Sequence, residues 1–216
     1  MSLRARLELL AAFTRITNAV RGYHSQAEIL EVSQAILRLA NRPDLVVVEA
    51  GVAHGSSTAK LSLVTRHANG KLIAFDSFRG IPKNDEQHEN LDGLTVVFRR
   101  GAFTGRLGAV RRVIEAHGAP ERVALVKGWL EETLPSFDSH VDIAILDLDL
   151  LSSTRTAIKA IYPRLRPGGV LFTQDGHLRK IAELLGSERF WREEVGVEVP
   201  RIEGLMKKKL LAIPRR

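Results

Sequence analysis

The segment Val46-Val47-Val48-Glu49-Ala50-Gly51-Val52-Ala53-His54-Gly55-Ser56-Ser57-Thr58 is followed, one helical stretch later, by Leu72-Ile73-Ala74-Phe75-Asp76-Ser77-Phe78-Arg79-Gly80. An apolar run ending in an acid, a glycine turn, a helix and a second apolar run ending in an acid spell a βαβ unit. Parallel strands of this kind are covered on both faces by their crossover helices, so the chain is confined to a layered α/β architecture. Ligands of such sheets sit beyond the carboxyl ends of the strands, where Glu49 and Asp76 stand, and acids so placed suit a nucleotide.

The alternation continues. Runs at Leu45 to Glu49, Lys71 to Asp76, Val123 to Lys127, Val141 to Asp147 and Val170 to Thr173 read as strands, with helical stretches near Ser57 to Arg66, Gly105 to His117 and Ser153 to Leu165. Before them, Ile29, Leu30, Val32, Ile36, Leu37 and Leu39 recur at helical spacing until Asn41-Arg42-Pro43 stops the run. Residues 1–44 therefore read as a helical flank or lid, and 45–216 as the ligand-binding domain of a single compact unit. Near the end, Ile181 to Leu185 reads as a helix, and Glu194 to Val199 with Lys208 to Ile213 as two strands of an antiparallel hairpin. The expected fold is α/β: a doubly wound, mostly parallel, seven-stranded sheet with a C-terminal antiparallel hairpin. That Rossmann-like ending is typical of class I methyltransferases, whereas a dehydrogenase half-domain would continue in βαβ order.

The glycine turn narrows the ligand. Gly51 and Gly55 are four apart, which is not the dinucleotide spacing, and Lys60 lies too far into the following helix to be a P-loop lysine. What remains is a helix N-terminus with free N–H groups suited to a carboxylate, and Asp76 where an acid accepts hydrogen bonds from ribose hydroxyls. S-adenosylmethionine combines those two features. The chain contains no cysteine, which removes disulfides, thiolate nucleophiles and cysteine-ligated metals, so its chemistry must use oxygen and nitrogen groups.

A second acidic pattern follows. Ile143 to Thr154 carries Asp147 and Asp149 where an inner strand leaves the sheet, and an extended exit would turn both toward one site. The next exit, Phe172-Thr173-Gln174-Asp175-Gly176-His177, adds an amide, a carboxylate and an imidazole. Asp147, Asp149, Asp175 and Gln174 offer oxygen ligands to a hard cation such as magnesium, and His177 is a candidate base near neutral pH. A second reading, in which Asp147 and Asp149 cap the helix starting near Ser153, stays open.

The runs Val48 to Val52, Phe75 to Pro82, Lys127-Gly128-Trp129 with Thr133-Leu134-Pro135, Leu146 to Thr154, and Tyr162 to Val170 together resemble the macrocin O-methyltransferase family. Its members tailor sugars and phenols of bacterial natural products. The resemblance spans about Val46 to Gly176 and implies transfer of the S-adenosylmethionine methyl group to a small-molecule hydroxyl, with magnesium orienting the acceptor. It implies that Glu49, Gly51, Ser57 and Asp76 surround the amino-acid and ribose parts of the cofactor, and that Gly128 and Trp129 lie near the adenine. Gly55, Ser77 and Asp147 complete the expected cofactor contacts. Asp147 is then the first metal ligand and a candidate base, Gln174 and Asp175 are further ligands, and Asp149 and His177 are further catalytic candidates. Where the family has two adjacent aspartates and an aromatic, this chain reads Gln174, Asp175 and Gly176; Leu151 stands where an aromatic follows the Asp-x-Asp segment.

The net charge of +7 comes from scattered groups such as Arg99-Arg100, Arg111-Arg112, Lys207-Lys208-Lys209 and Arg215-Arg216, with no nucleic-acid-binding motif. Solvated basic residues are the favoured reading over a nucleic-acid partner. No apolar stretch has membrane-spanning length, and Met1 to Phe13 alternates charges with leucines unlike a signal peptide, so a cytoplasmic protein is expected. The acidic segment Pro82 to Gly93 reads as a lid, an acceptor-selecting loop or a plain solvated loop, and the apolar N-terminal helices offer a homodimer surface. Two alternatives to the magnesium-assisted enzyme stay open: a metal-independent methyltransferase, RNA among its acceptors, and a cofactor-binding partner protein without catalysis.

Overall fold

The computed structural model describes residues 1–216. Along the chain, α1 (Leu3–Ala19) and α2 (Gln26–Arg38) precede β1 (Val46–Ala50), and α3 (Ser56–His67) crosses to β2 (Lys71–Asp76). A small antiparallel pair, β3 (His88–Glu89) and β4 (Thr95–Val96), is followed by α4 (Leu107–His117), β5 (Val123–Lys127), α5 (Leu130–Thr133) and β6 (Val141–Leu146). Then come α6 (Leu151–Ile161), β7 (Leu165–Thr173), α7 (Arg179–Gly186) and β8 (Leu211–Pro214). The main sheet has the order β5-β2-β1-β6-β7-β8, parallel throughout except for β8, which runs antiparallel to β7. The switch point lies between β1 and β6, and it puts the ends of β1, β2, β6 and β7 side by side at one edge.

Strand periodicity divides the core into two layers. Val46, Val48 and Ala50 of β1 and Ala144 and Leu146 of β6 face α6, α7 and the following helical turn, while Val47, Ile143 and Ile145 face α1, α2 and α3. On that second face Phe13, Ile16, Ile29 and Ile36 are almost fully buried, each contributing about 1.5–3 kcal/mol of transfer free energy. The N-terminal segment is two helices, α1 and α2. Ser25 and Glu28 close a capping box that starts α2, and the break at Val20 to Ser25 turns Tyr23 and His24 toward the ligand edge.

At the opposite edge, Asp142 is wholly buried and accepts from Arg42 Nη1 (2.8 Å), Arg166 Nε and Nη2 (2.8 and 2.6 Å) and the Val46 N–H (2.9 Å). This ties the start of β1, β6 and β7 together far from the ligand edge.

The sheet has six strands, not seven, and the hairpin with Glu194 to Val199 does not form. Phe190–Val195 is a π-helical turn instead. Its alternating valines read as a strand, but burying Phe190, Trp191 and Val195 together requires a helical turn, and Trp191 Nε1 donates to Leu185 O at 2.7 Å. Gly196, at φ +77, ends it. The closing antiparallel pair is β7 with β8. No helix is long and apolar enough to cross a membrane.

Candidate active site

A cavity of about 650 Å³ opens at the carboxyl edge, within the range of about 300–1,000 Å³ typical of small-molecule sites. Asp76 on the β2 side and Asp147 on the β6 side flank the end of β1, and both line it together with Gly51, Ser77, Gly128, Trp129, Asp149, Asp175 and His177. Nine of the sequence candidates thus meet around a single space. Glu49, Gly55, Ser57 and Gln174 lie outside its lining.

The β1–α3 turn is held from both sides. Asp76 Oδ2 accepts from the N–H groups of Val52 (2.7 Å) and Ala53 (3.2 Å), and Oδ1 accepts from Phe78 N–H (2.6 Å). A carboxylate has about four acceptor positions, so Asp76 retains capacity for a ligand while fixing the loop. Glu49 is buried under the turn and accepts from Ser57 Oγ at 2.5 Å; its other oxygen has no partner. Burial pushes the Glu49 carboxyl up to about 7, against the hydrogen bond from Ser57 and with the help of Asp147 and Asp76. Behind the turn, a small crevice is lined by Arg21, Gly22, His24, Ser56, Ser57 and Lys60 beside Gly51 and Asp147. Lys60 is nearly fully buried, and that burial lowers its pKa. Gly55 caps α3 at φ +84 with no side-chain hydrogen bond, so the first N–H groups of α3 remain available.

On the other side, Asp147, Asp149 and Asp175 bring one oxygen each within 4.8 Å of one another. Asp175 organises this corner: its Oδ2 accepts from Leu148 N–H (3.0 Å) and Asp149 N–H (3.2 Å), with Asp149 in the left-handed region at φ +62. Asp175 Oδ1 is buried without a partner. Burial, reinforced by the neighbouring carboxylates, raises the pKa of all three acids. A cluster of oxygen donors with one lone pair set unspent fits a hard cation. Gln174 is buried with neither amide atom in a well-formed hydrogen bond, although Glu28 lies close enough for the amide to act on its carboxylate. His177 is half-buried, and desolvation lowers its pKa despite Asp175, so its imidazole is neutral at pH 7.

Several site residues carry no local sequence signal. His24 Nε2 lies 3.6 Å from Asp147 Oδ2, and burial lowers the imidazole to about 4. Tyr23, Phe103 and Phe98 form a wall, with Tyr23 and Phe103 rings edge to face at 4.9 Å. Lys209, from the turn before β8, lines the cavity as well.

The segment from Pro82 to Gly93 is docked, not solvated. Glu86 accepts from the N–H groups of Leu151 (2.7 Å) and Ser152 (3.1 Å), taking the cap position of α6 that Asp147 or Asp149 was a candidate for. Although burial opposes it, these bonds and those from the Ser152 side chain hold Glu86 below its ordinary pKa. Glu89 pairs with Arg179 at 2.8 Å, and Leu91 N–H donates to His177 O at 3.0 Å. The same excursion supplies Ile81, Pro82, Lys83, Val96 and Phe98 to the cavity.

Residues 48–176 match the family model described as a methyltransferase domain. A curated relative from Streptomyces olivaceus, 8-demethyl-8-(2,3-dimethoxy-alpha-L-rhamnosyl)-tetracenomycin-C 4'-O-methyltransferase, is 29% identical over 170 residues, which make up 68% of this chain. The aligned region spans 65% of that relative's length. The structure of the O-methyltransferase NovP superposes with a TM-score of 0.70 at 21% identity, over 87% of this chain and 78% of that one. The calicheamicin methyltransferase CalS11 superposes with a TM-score of 0.68 at 20% identity, over 98% and 91%. These two likenesses establish the fold.

Proposed function

Because the chain belongs to the methyltransferase-domain family, we propose that it is an S-adenosylmethionine-dependent O-methyltransferase acting on a hydroxyl of a small molecule, a sugar or a phenol. The observation that carries this reading is the single cavity flanked by Asp76 on one side of β1 and the Asp147–Asp149–Asp175 cluster on the other. The relative from Streptomyces olivaceus, named for 4'-O-methylation of a rhamnosyl tetracenomycin, supports a glycosylated acceptor.

In this reading Asp76 holds the ribose hydroxyls, Ser77, Gly128 and Trp129 border the adenine, and the Gly51 turn faces the methionine part. Ser57 and the free N–H groups of α3, with Lys60 behind them, attract its carboxylate. Glu49 and Gly55 act beneath the turn by fixing its shape. S-adenosylmethionine supplies an activated methyl group, which leaves the protein to align the acceptor oxygen and take its proton. His177, neutral at pH 7, and Asp147 are the groups at the cavity wall that receive that proton. Asp149 and Asp175 bind the acceptor's hydroxyl edge. A magnesium ion held by Asp147, Asp149 and Asp175, with Gln174 adjoining, would polarise and orient the acceptor oxygen.

The test is calorimetric titration with S-adenosylmethionine, followed by S-adenosylhomocysteine release with a panel of phenols and glycosides. Asp147→Asn is expected to lower turnover by about two orders of magnitude or more while leaving cofactor affinity within a few-fold. Absence of S-adenosylmethionine binding to the unaltered protein overturns the reading.

A further inference from the structure

The turn after β7 and the turn before β8 fit together through one glycine. A Cβ on Gly176 would lie 2.5 Å from Leu211 Cγ and 2.6 Å from the backbone oxygen of Lys208, and the Gly176 N–H donates to Lys209 O at 2.9 Å. Any side chain at position 176 would push the 208–211 segment away from the sheet edge. With glycine there, Lys209 is seated one residue from Asp175, in the same cavity wall as Asp147, Asp149 and His177. Its Nζ reaches the backbone oxygen of Tyr23 at 3.5 Å, which spans the site to the break between α1 and α2.

The exposed side chain of Lys209 makes no ion pair within 4.0 Å with any one of the three acids, but it shares their cavity wall, and its Nζ rests on the backbone of Tyr23, next to His24, whose Nε2 lies 3.6 Å from Asp147 Oδ2. Around the cluster stand Glu28, which adds a negative charge, and two neutral imidazoles. Gln174 beside Asp175 adds no charge, and both its amide atoms and Asp175 Oδ1 lack partners. The three acids therefore share their cavity wall with a cation of the chain's own and keep an unspent coordination capacity.

We propose that Lys209 is the built-in counter-cation of the Asp147–Asp149–Asp175 cluster, so that a divalent cation binds there only in competition with it. The proposal rests on the reading of these acids as the acceptor-orienting centre. The ammonium supplies part of the neutralisation that a metal otherwise provides.

The experiment is Mn2+ binding, followed by the electron paramagnetic resonance of free Mn2+, for the unaltered protein, Lys209→Met and Lys209→Arg without cofactor. Lys209→Met is expected to bind Mn2+ at least about tenfold more tightly, the effect of removing one unit charge a few ångströms from a divalent ion. Lys209→Arg is expected to stay within about threefold of the unaltered protein. Equal or weaker Mn2+ binding by Lys209→Met overturns the proposal, and so does no Mn2+ binding by any of the three. Should Lys209→Met fail to fold by circular dichroism, Lys209→Gln takes its place with the same criterion. Calorimetry with S-adenosylmethionine on the same samples separates the two ideas: failure there removes the methyltransferase reading, while the Mn2+ comparison still decides the role of Lys209.

Discussion

Gly51 meets the backbone of Asp147 so closely that a Cβ at position 51 would lie 2.0 Å from the Asp147 carbonyl oxygen. Asp147 N–H donates in turn to Ala50 O at 3.0 Å, so the turn that ends β1 and the acid that ends β6 are one packed unit. The glycine that reads in the sequence as room for a ligand is first of all room for a neighbouring strand.

Gly51→Ala should therefore cost about 3 kcal/mol or more, since it combines a left-handed φ of +93 with a clash against backbone. Gly55→Ala, also at positive φ, meets only the Val110 side chain at 3.1 Å and should cost about 1–2 kcal/mol. Urea unfolding of both variants checks this. Equal costs would mean that the Asp147 contact does not govern the turn.

Asp142→Ala should destabilise by about 3–5 kcal/mol, because it leaves two arginines converging on an empty buried position and the Val46 N–H unpaired. The site lies at the opposite edge of the sheet, so ligand affinity measured below the unfolding midpoint should be unchanged. A loss of affinity without a loss of stability would contradict the assignment.

Glu86→Ala should remove the cap from α6, at a cost of about 1 kcal/mol. It also frees the excursion carrying Ile81, Val96 and Phe98, which wall the cavity. For an active acceptor the KM should rise several-fold with kcat nearly constant, as expected when uniform binding is lost. An effect confined to kcat would place Glu86 in the chemistry instead.

The βαβ unit from Val46 to Asp76 could be read because its strands are apolar apart from Lys71 at the start of the second and the acids near their carboxyl ends, where a parallel sheet puts its ligand edge. Asp147, Asp149 and Asp175 followed from the same rule. Tyr23, His24 and Lys209 could not be read, because their roles arise from contacts across the whole chain: Lys209 touches Tyr23 over 186 residues of separation. The alternating Glu194 to Val199 misled because period two competes there with a helical burial set, Phe190, Trp191 and Val195, that only tertiary packing reveals. Glu86 lay in a segment with no periodicity at all, and its function as a cap depends on where α6 begins.

Glu49 offers a test through pH. Burial raises its carboxyl from 4.5 to about 7, so between those values the folded chain holds a proton that the unfolded chain has released. A raised folded pKa means that this contribution to stability is fully present below about pH 4.5 and is lost as pH rises through about 7. The loss amounts to about 3 kcal/mol when complete. Glu49→Gln keeps an oxygen to accept from Ser57 Oγ but cannot ionise. The variant should match the unaltered protein near pH 4 and exceed it by about 2–3 kcal/mol at pH 8, measured by urea unfolding without ligand. A constant difference across that range would show that Glu49 is ionised in the folded protein, and the buried neutral Glu49–Ser57 pair would have to be abandoned.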